Sequence, residues 1–188
     1  MHILLKTAKG IFIMKRSLSL WQFGGFVFTS AMGTFLHFLY DITEENTIVS
    51  LFSAVNESTW EHMKLLFFPM FVYSLFGYRF LSEEYENFRF AKLIGTLTGL
   101  ILIPVIYYTY TGISGVSADW FNITIFFVSA GVSYLVETKI LKNGIGKNFP
   151  QKIVFPLLTG IAVLFFVFTF FPPEIPLFID KIKKRYGK

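Results

Sequence analysis

The sequence predicts an all-α, polytopic transmembrane bundle of about five spans with one short interfacial or re-entrant helix. Hydrophobic residues fill 54% of the 188 positions and charged residues only 15%, where a soluble domain carries about 25% charged. Those few charges are grouped, which leaves long uncharged windows between them. The chain also has no Cys, so disulfide scaffolds, zinc ribbons and thiol chemistry are excluded.

The first 16 residues, MHILLKTAKGIFIMKR, read as a cytoplasmic segment ahead of the first span. Met14 followed by Lys15 and Arg16 resembles an alternative translation start, which makes residues 1–13 an over-extended beginning and leaves His2 without a role. Crossing roughly 30 Å of hydrocarbon takes about 20 apolar residues as a helix. Between Arg16 and Asp41 lie 24 uncharged residues, between Lys92 and Asp119 there are 26, between Asp119 and Glu137 there are 17, and between Lys152 and Glu174 there are 21. The first window is longer than a signal peptide's apolar core of about 7–15 residues, and no small-x-small cleavage site follows it, so it is read as a retained span. Lys64 to Arg79 encloses only 14 uncharged residues, so that helix must begin earlier, near Trp60, and carry Glu61, His62 and Lys64 into the membrane boundary. The predicted spans are residues 18–40, 60–81, 93–114, 119–138 and 153–172, within a transmembrane domain of 17–173. A proline-containing basic tail occupies 174–188, and the proline-fixed segment Phe171 to Asp180 is expected to lie back along the outer surface as a lid or packing strap. Ile48 to Val55 is apolar but too short to cross, and is assigned to the interfacial or re-entrant helix.

Lys and Arg in short loops mark the cytoplasmic side. With the N-terminus inside, the inner segments hold 11 of the 17 basic residues. The remaining six are Lys64 and the five of the tail, and the tail stands against the rule. The expectation is a multi-pass protein of the cell membrane with a cytoplasmic N-terminus. The net charge of +5 reflects this topology and does not point to nucleic acid.

Small residues recur at helical spacing. Gly25, Thr29, Gly33, His37 and Asp41 wind along one stripe of the first span, and Gly95 and Gly99 form a GxxxG pair in the third, so Gly25, Gly33, Gly95 and Gly99 are read as helix-packing positions. Pro69, Pro104 and Pro156 fall inside predicted helices, where each removes a backbone donor and is expected to bend the helix. Glu137 is expected at the inner end of the fourth span as a partner for Lys139 or Lys142.

The densest polar stretch is Asn56-Glu57-Ser58-Thr59-Trp60-Glu61-His62. Ser58-x-x-Glu61 ahead of an apolar run is a capping box, in which the Ser58 hydroxyl accepts the Glu61 amide and Glu61 returns to the Ser58 amide. Asn56, Ser58 and Trp60 are given structural or capping roles. Capping leaves Glu57 and His62 unexplained. On the stated topology His37, Asp41, Glu57, Glu61 and His62 all gather at the outer boundary. Two imidazoles with two or three carboxylates can hold zinc, manganese or iron, so His37, His62, Glu57 and Asp41 are candidate metal ligands and Glu61 and Glu57 candidate catalytic carboxylates. The same set also suits a proton relay or a satisfied buried network.

The runs LHFLYD (Leu36 to Asp41), AVNESTWEHMKLLFFP (Ala54 to Pro69) and PPEIPLFID (Pro172 to Asp180) resemble a family of short, uncharacterised integral membrane proteins found mainly in Firmicutes, over essentially the whole chain from Met14. The resemblance implies a bacterial membrane protein and transfers no activity. A looser similarity to ceramidase-type intramembrane hydrolases rests on Ser58 and His62 alone.

Three functions remain open at this point. One is a metal-dependent intramembrane enzyme acting on a lipid-linked or peptide substrate, with Glu61 as general base. Another is a small proton- or ion-coupled transporter. The third is an accessory subunit or homo-oligomer that meets its membrane-protein partner through the glycine faces. The lipid bilayer is a partner in all three.

Overall fold

Helices begin and end close to the charges that bound the apolar windows. The computed structural model describes residues 17–188, so the expectations for residues 1–16, the Met14 start among them, lie outside the described residues. The described chain forms five α-helices, α1 (Ser17–Ile42), α2 (Thr59–Leu81), α3 (Phe88–Ser114), α4 (Asp119–Asn143) and α5 (Val154–Phe170), with single 3₁₀ turns at Val49–Leu51, Gln151–Ile153 and Pro176–Phe178. Four of the helices, α1, α3, α4 and α5 with the turn preceding it, are long and apolar enough to cross a membrane.

The remaining helix, α2, is 23 residues long but carries Glu61 and Lys64 in its first two turns. It runs antiparallel to α1 over nearly the whole of that helix. Trp21 of α1 packs on Tyr73 and Phe80 of α2, while the His37 and His62 rings meet at the other end with centroids 5.4 Å apart. At 1.5 Å per residue α2 is about 35 Å long, which matches the apolar helix beside it.

Helices α1 to α4 pack in a ring, α1 on α2 and α4, and α3 on α2 and α4, with α5 against the outside of α2 and α3. Close approach depends on the missing side chains at the striped glycines. A Cβ on Gly33 would stand 2.7 Å from the Leu65 carbonyl oxygen and collide with the Phe126 ring. One on Gly99 would collide with Ser133 and lie 2.9 Å from Leu66. These faces are filled by the chain's own neighbours, Gly25 against Tyr134 and Tyr73 and Gly95 against Glu137. At these four positions the glycines serve packing within the chain.

Helix boundaries depart from the charge-counted spans where charges are neutralised inside. Helix α3 starts at Phe88, several residues before the predicted 93, because Lys92 is buried and hydrogen-bonds to Glu137 on α4. Helix α4 continues to Asn143 for the same reason. Its end is closed by the Asn87 amide, which donates to Ile140 O in the last turn at 2.8 Å and to Ile145 O just past the helix at 2.9 Å, and by Gly144 at φ +65°. Pro69 and Pro104 lie within helices. Pro156, expected to bend its helix, sits in the first turn of α5, where its missing N–H costs nothing.

The segment Ile48 to Val55 forms no more than the 3₁₀ turn Val49–Leu51, shorter than the expected interfacial helix. Ser53 Oγ donates to the Leu36 carbonyl and accepts from Tyr40 N at 3.1 Å, which fastens this segment to the end of α1. The tail folds across the same end of the bundle. Asn56 Nδ2 donates to Gly187 O at 3.1 Å, and Lys188 Nζ donates to Glu45 O at 3.2 Å and to Thr47 Oγ1 at 2.8 Å.

Candidate metal centre

Local backbone chemistry places three side chains together at the end where α1 stops and α2 begins. Asn56 Oδ1 accepts from Ser58 N at 2.9 Å, a turn that delivers the chain into α2, and Ser58 Oγ accepts from Glu61 N at 3.3 Å as the N-cap. Helical spacing then sets His62 one turn in from Ser58, with its ring Nδ1 2.8 Å from the Ser58 carbonyl oxygen. A carbonyl only accepts, so Nδ1 carries the proton and donates. The other ring nitrogen, Nε2, is thereby aimed at Glu57.

His62 Nε2 lies 3.3 Å from Glu57 Oε2, and His37 Nε2 lies 3.9 Å from Glu57 Oε1. One ligand atom from each of His37, Glu57 and His62 falls within 4.8 Å of the others. The site is neither sealed nor flat on the surface, with side-chain exposures of 30% for His37, 29% for His62 and 42% for Glu57. With Nδ1 protonated, a neutral His62 presents a lone pair to a carboxylate oxygen. That contact is favourable only if a positive charge stands between them, either a second proton on the ring or a bound cation. The hydrogen bond from His62 holds the Glu57 carboxyl below its usual range, ahead of the opposing effect of burial. Among the described residues His37 Nδ1 is buried without a partner.

Two imidazole nitrogens and one carboxylate oxygen form a zinc-type donor set in which one coordination position stays open. Ligand atoms around tetrahedral zinc stand roughly 3.3 Å apart at bond lengths of about 2.0–2.1 Å, so the trio must contract by a rotation of its most exposed member, Glu57. Asp41, offered by sequence as a further ligand, is exposed one turn beyond His37 and stands outside the trio.

Glu61 also stands apart. Its carboxylate accepts from Val55 N at 3.0 Å and lies 2.5 Å from Lys64 Nζ, with both side chains buried. Lys64 Nζ further donates to Ser50 O at 2.8 Å and Thr169 Oγ1 at 3.0 Å. All three ammonium protons are used, and α2 is tied to the 3₁₀ segment and to α5. The general-base role for Glu61 finds no support in this geometry, because its carboxylate is engaged by a buried ammonium and is not one of the three side chains that could share an ion. Half of the capping box is corrected, since the Ser58 amide is taken by Asn56 and not by Glu61. Trp60 packs on Phe165, Phe168 and Phe178.

Glu137 does not pair with Lys139 or Lys142. It is fully buried, and Lys92 Nζ donates to its Oε2 at 2.5 Å. Sequence reasoning brought Lys64 to the membrane boundary without naming its partner, and left Lys92 outside its span because a charge was taken to end it. The available signal was that each sits less than two turns inside a helix, with a carboxylate in reach either on the same face or on a neighbouring helix.

No curated protein and no solved structure matches the chain. One family profile does, over residues 12–188, and its extent accords with the single bundle and tail described above: the chain belongs to the Family of unknown function (DUF6512).

Proposed function

We propose that this is a five-span membrane protein holding a divalent transition-metal ion on His37, His62 and Glu57, and using it to activate water for hydrolysis of a lipid-linked or peptide substrate. The observation that carries the reading is the His62 ring, whose Nδ1 is fixed by Ser58 O at 2.8 Å so that Nε2 faces Glu57. Backbone carbonyls that fix one imidazole nitrogen and aim the other are the usual second shell of a metal-binding histidine. Zinc in a site with three protein ligands lowers the pKa of its bound water to about 7. His37, His62 and Glu57 would hold the ion, which would supply a water acidic enough to act as a nucleophile near neutral pH.

The antiparallel match of α2 with α1 supports five crossings. The excess of basic residues in the loops opposite the trio supports an outward-facing site in a bacterial cell membrane, with the N-terminus inside. The tail's basic residues run against that rule, but Lys181 and Lys188 are engaged in contacts with the bundle.

Metal analysis of purified protein, alongside His62→Ala and Glu57→Ala, tests the proposal. One equivalent of metal in the parent and its loss in both folded variants is the expected result. A folded, metal-free parent that also fails to take up added zinc overturns it.

The transporter reading has one observation in its favour. Buried Ser133 and Ser129 continue a polar line along α4 from Glu137 towards the middle of the bundle, and Ser129 Oγ has no partner among the described residues. The next position on that face, Ile125, is buried and apolar. A proton-flux measurement in vesicles separates the two readings.

A further inference from the structure

Helices α2, α3 and α5 leave a groove of about 340 Å³ between them, whose ten lining residues are all apolar. Trp60 and Met63 line it from α2, Leu100 and Pro104 from α3, and Ile161 and Phe165 from α5. Ile101, Val105 and Leu164 at its rim are exposed on the outside of the bundle. On a bundle embedded in a bilayer, such a face meets hydrocarbon and not water, so a lipid chain can enter it from the side.

The Trp60 end of the groove carries a charge. Lys181 of the tail donates from Nζ to Thr59 Oγ1 at 3.2 Å, on the residue next to Trp60. Its ammonium also sits 3.1 Å from the centre of the Tyr107 ring, three residues along α3 from Pro104. Among the described residues no carboxylate reaches ion-pair distance of Lys181, although the buried carboxylates Glu61 and Glu137 each have an ammonium partner. Partial burial holds the Lys181 amine below its ordinary range, as expected of an ammonium stripped of water without a full counter-charge. A half-buried cation above a chain-sized apolar groove is complementary to an amphiphile with an anionic head.

We propose that this groove seats one acyl chain of an anionic phospholipid whose phosphate rests on Lys181. The groove is lined from α2 by Trp60 and Met63 and not by His62; Glu57 is near enough to act on the charge of Lys181, so the lipid measurement is made without added metal.

Trp60 lines the groove and serves as the probe. With Trp21 and Trp120 replaced by Phe, the full chain is reconstituted in phosphatidylcholine vesicles containing graded fractions of either phosphatidylglycerol or phosphatidylcholine brominated on the acyl chain, and Trp60 fluorescence is recorded. Bromine quenches only on contact. Brominated phosphatidylglycerol is expected to reach half-quenching at about fivefold lower mole fraction, the factor set by one basic residue near an anionic head. Lys181→Ala should bring the two curves together, Lys181→Arg should keep them apart, and Leu100→Phe, which narrows the groove, should weaken quenching by both lipids. Coincident curves in the parent, or a preference that survives Lys181→Ala, overturns the proposal. The parent comparison decides even if a Lys181 variant fails to fold.

Discussion

Lys92 of α3 and Glu137 of α4 face each other in the interior with Nζ 2.5 Å from Oε2, both essentially without solvent contact. The ammonium is also ringed by Tyr73, Phe88 and Tyr134 at 5.3–5.9 Å from their centres. Removing one member leaves an uncompensated buried charge, which costs about 3–5 kcal/mol, whereas replacing both with apolar groups of similar size is close to neutral. Glu137→Ala and Lys92→Met should each lower the thermal midpoint in detergent steeply, and Lys92→Met/Glu137→Leu should recover most of the loss. Additive losses in the double variant would show that the two groups do not act as a pair.

Glu61→Gln distinguishes a structural carboxylate from a catalytic one. The substitution leaves Lys64 charged and buried at the junction of α2, α5 and the 3₁₀ segment, so stability should fall by about 3 kcal/mol or more. Zinc stoichiometry should be unchanged, because neither Glu61 nor Lys64 belongs to the trio that could hold the ion. Loss of metal from a still-folded Glu61→Gln protein would restore Glu61 to the site.

The transmembrane bundle was legible because hydrocarbon imposes a length on uncharged windows, and four such windows became helices that can cross. Boundaries were less legible. Counting between charges assumes that each charge seeks water, and Lys64, Lys92, Glu61 and Glu137 instead seek one another. The gathering of His37 with Glu57 and His62 followed from topology alone, since two sequential helices joined by a short connection bring these residues to one end. Which carboxylate joins the histidines did not follow. Glu57 and Glu61 are one turn apart and equivalent by spacing, and they are separated only by Val55 N and Lys64, which draw Glu61 inward. Lys181 was hidden by sequence distance, because its partners Thr59 and Tyr107 lie on α2 and α3.

Zinc affinity should rise with pH across the histidine range. Binding requires both imidazole Nε2 atoms unprotonated, so protons compete with the ion for the same lone pairs. Glu57 adds little in this window, since its carboxyl is held below the usual value of 4.5 and is already ionised. Calorimetric titration at pH 5.5, 6.5 and 7.5 should show at least a tenfold gain from the lowest to the highest pH. In metal-free protein the Glu57 carboxylate responds to acid with the same sign, at lower pH. A carboxyl depressed in the folded state contributes stability above its unfolded pKa, and that contribution is lost as pH falls through the lower folded value. A pH-independent zinc affinity would mean that the histidines are not ligands.

Gly33 couples packing to the trio, standing one helical turn before His37 on the same stripe of α1. A methyl group there would press on the Leu65 carbonyl at 2.7 Å and on the Phe126 ring. The carbonyl belongs to the backbone of α2 and cannot rotate away, so α1 must separate from α2. Such overpacking costs about 1–3 kcal/mol. The separation also carries His37 away from His62 and Glu57, so Gly33→Ala should weaken zinc binding more than its loss of stability alone explains. Gly160→Ala is the matched control. Its Cβ would meet nothing within 4 Å, and alanine is the better helix former by about 1 kcal/mol, so stability should hold or rise with zinc affinity unchanged. Equal zinc affinity in the two variants would show that the trio does not depend on how closely α1 approaches α2.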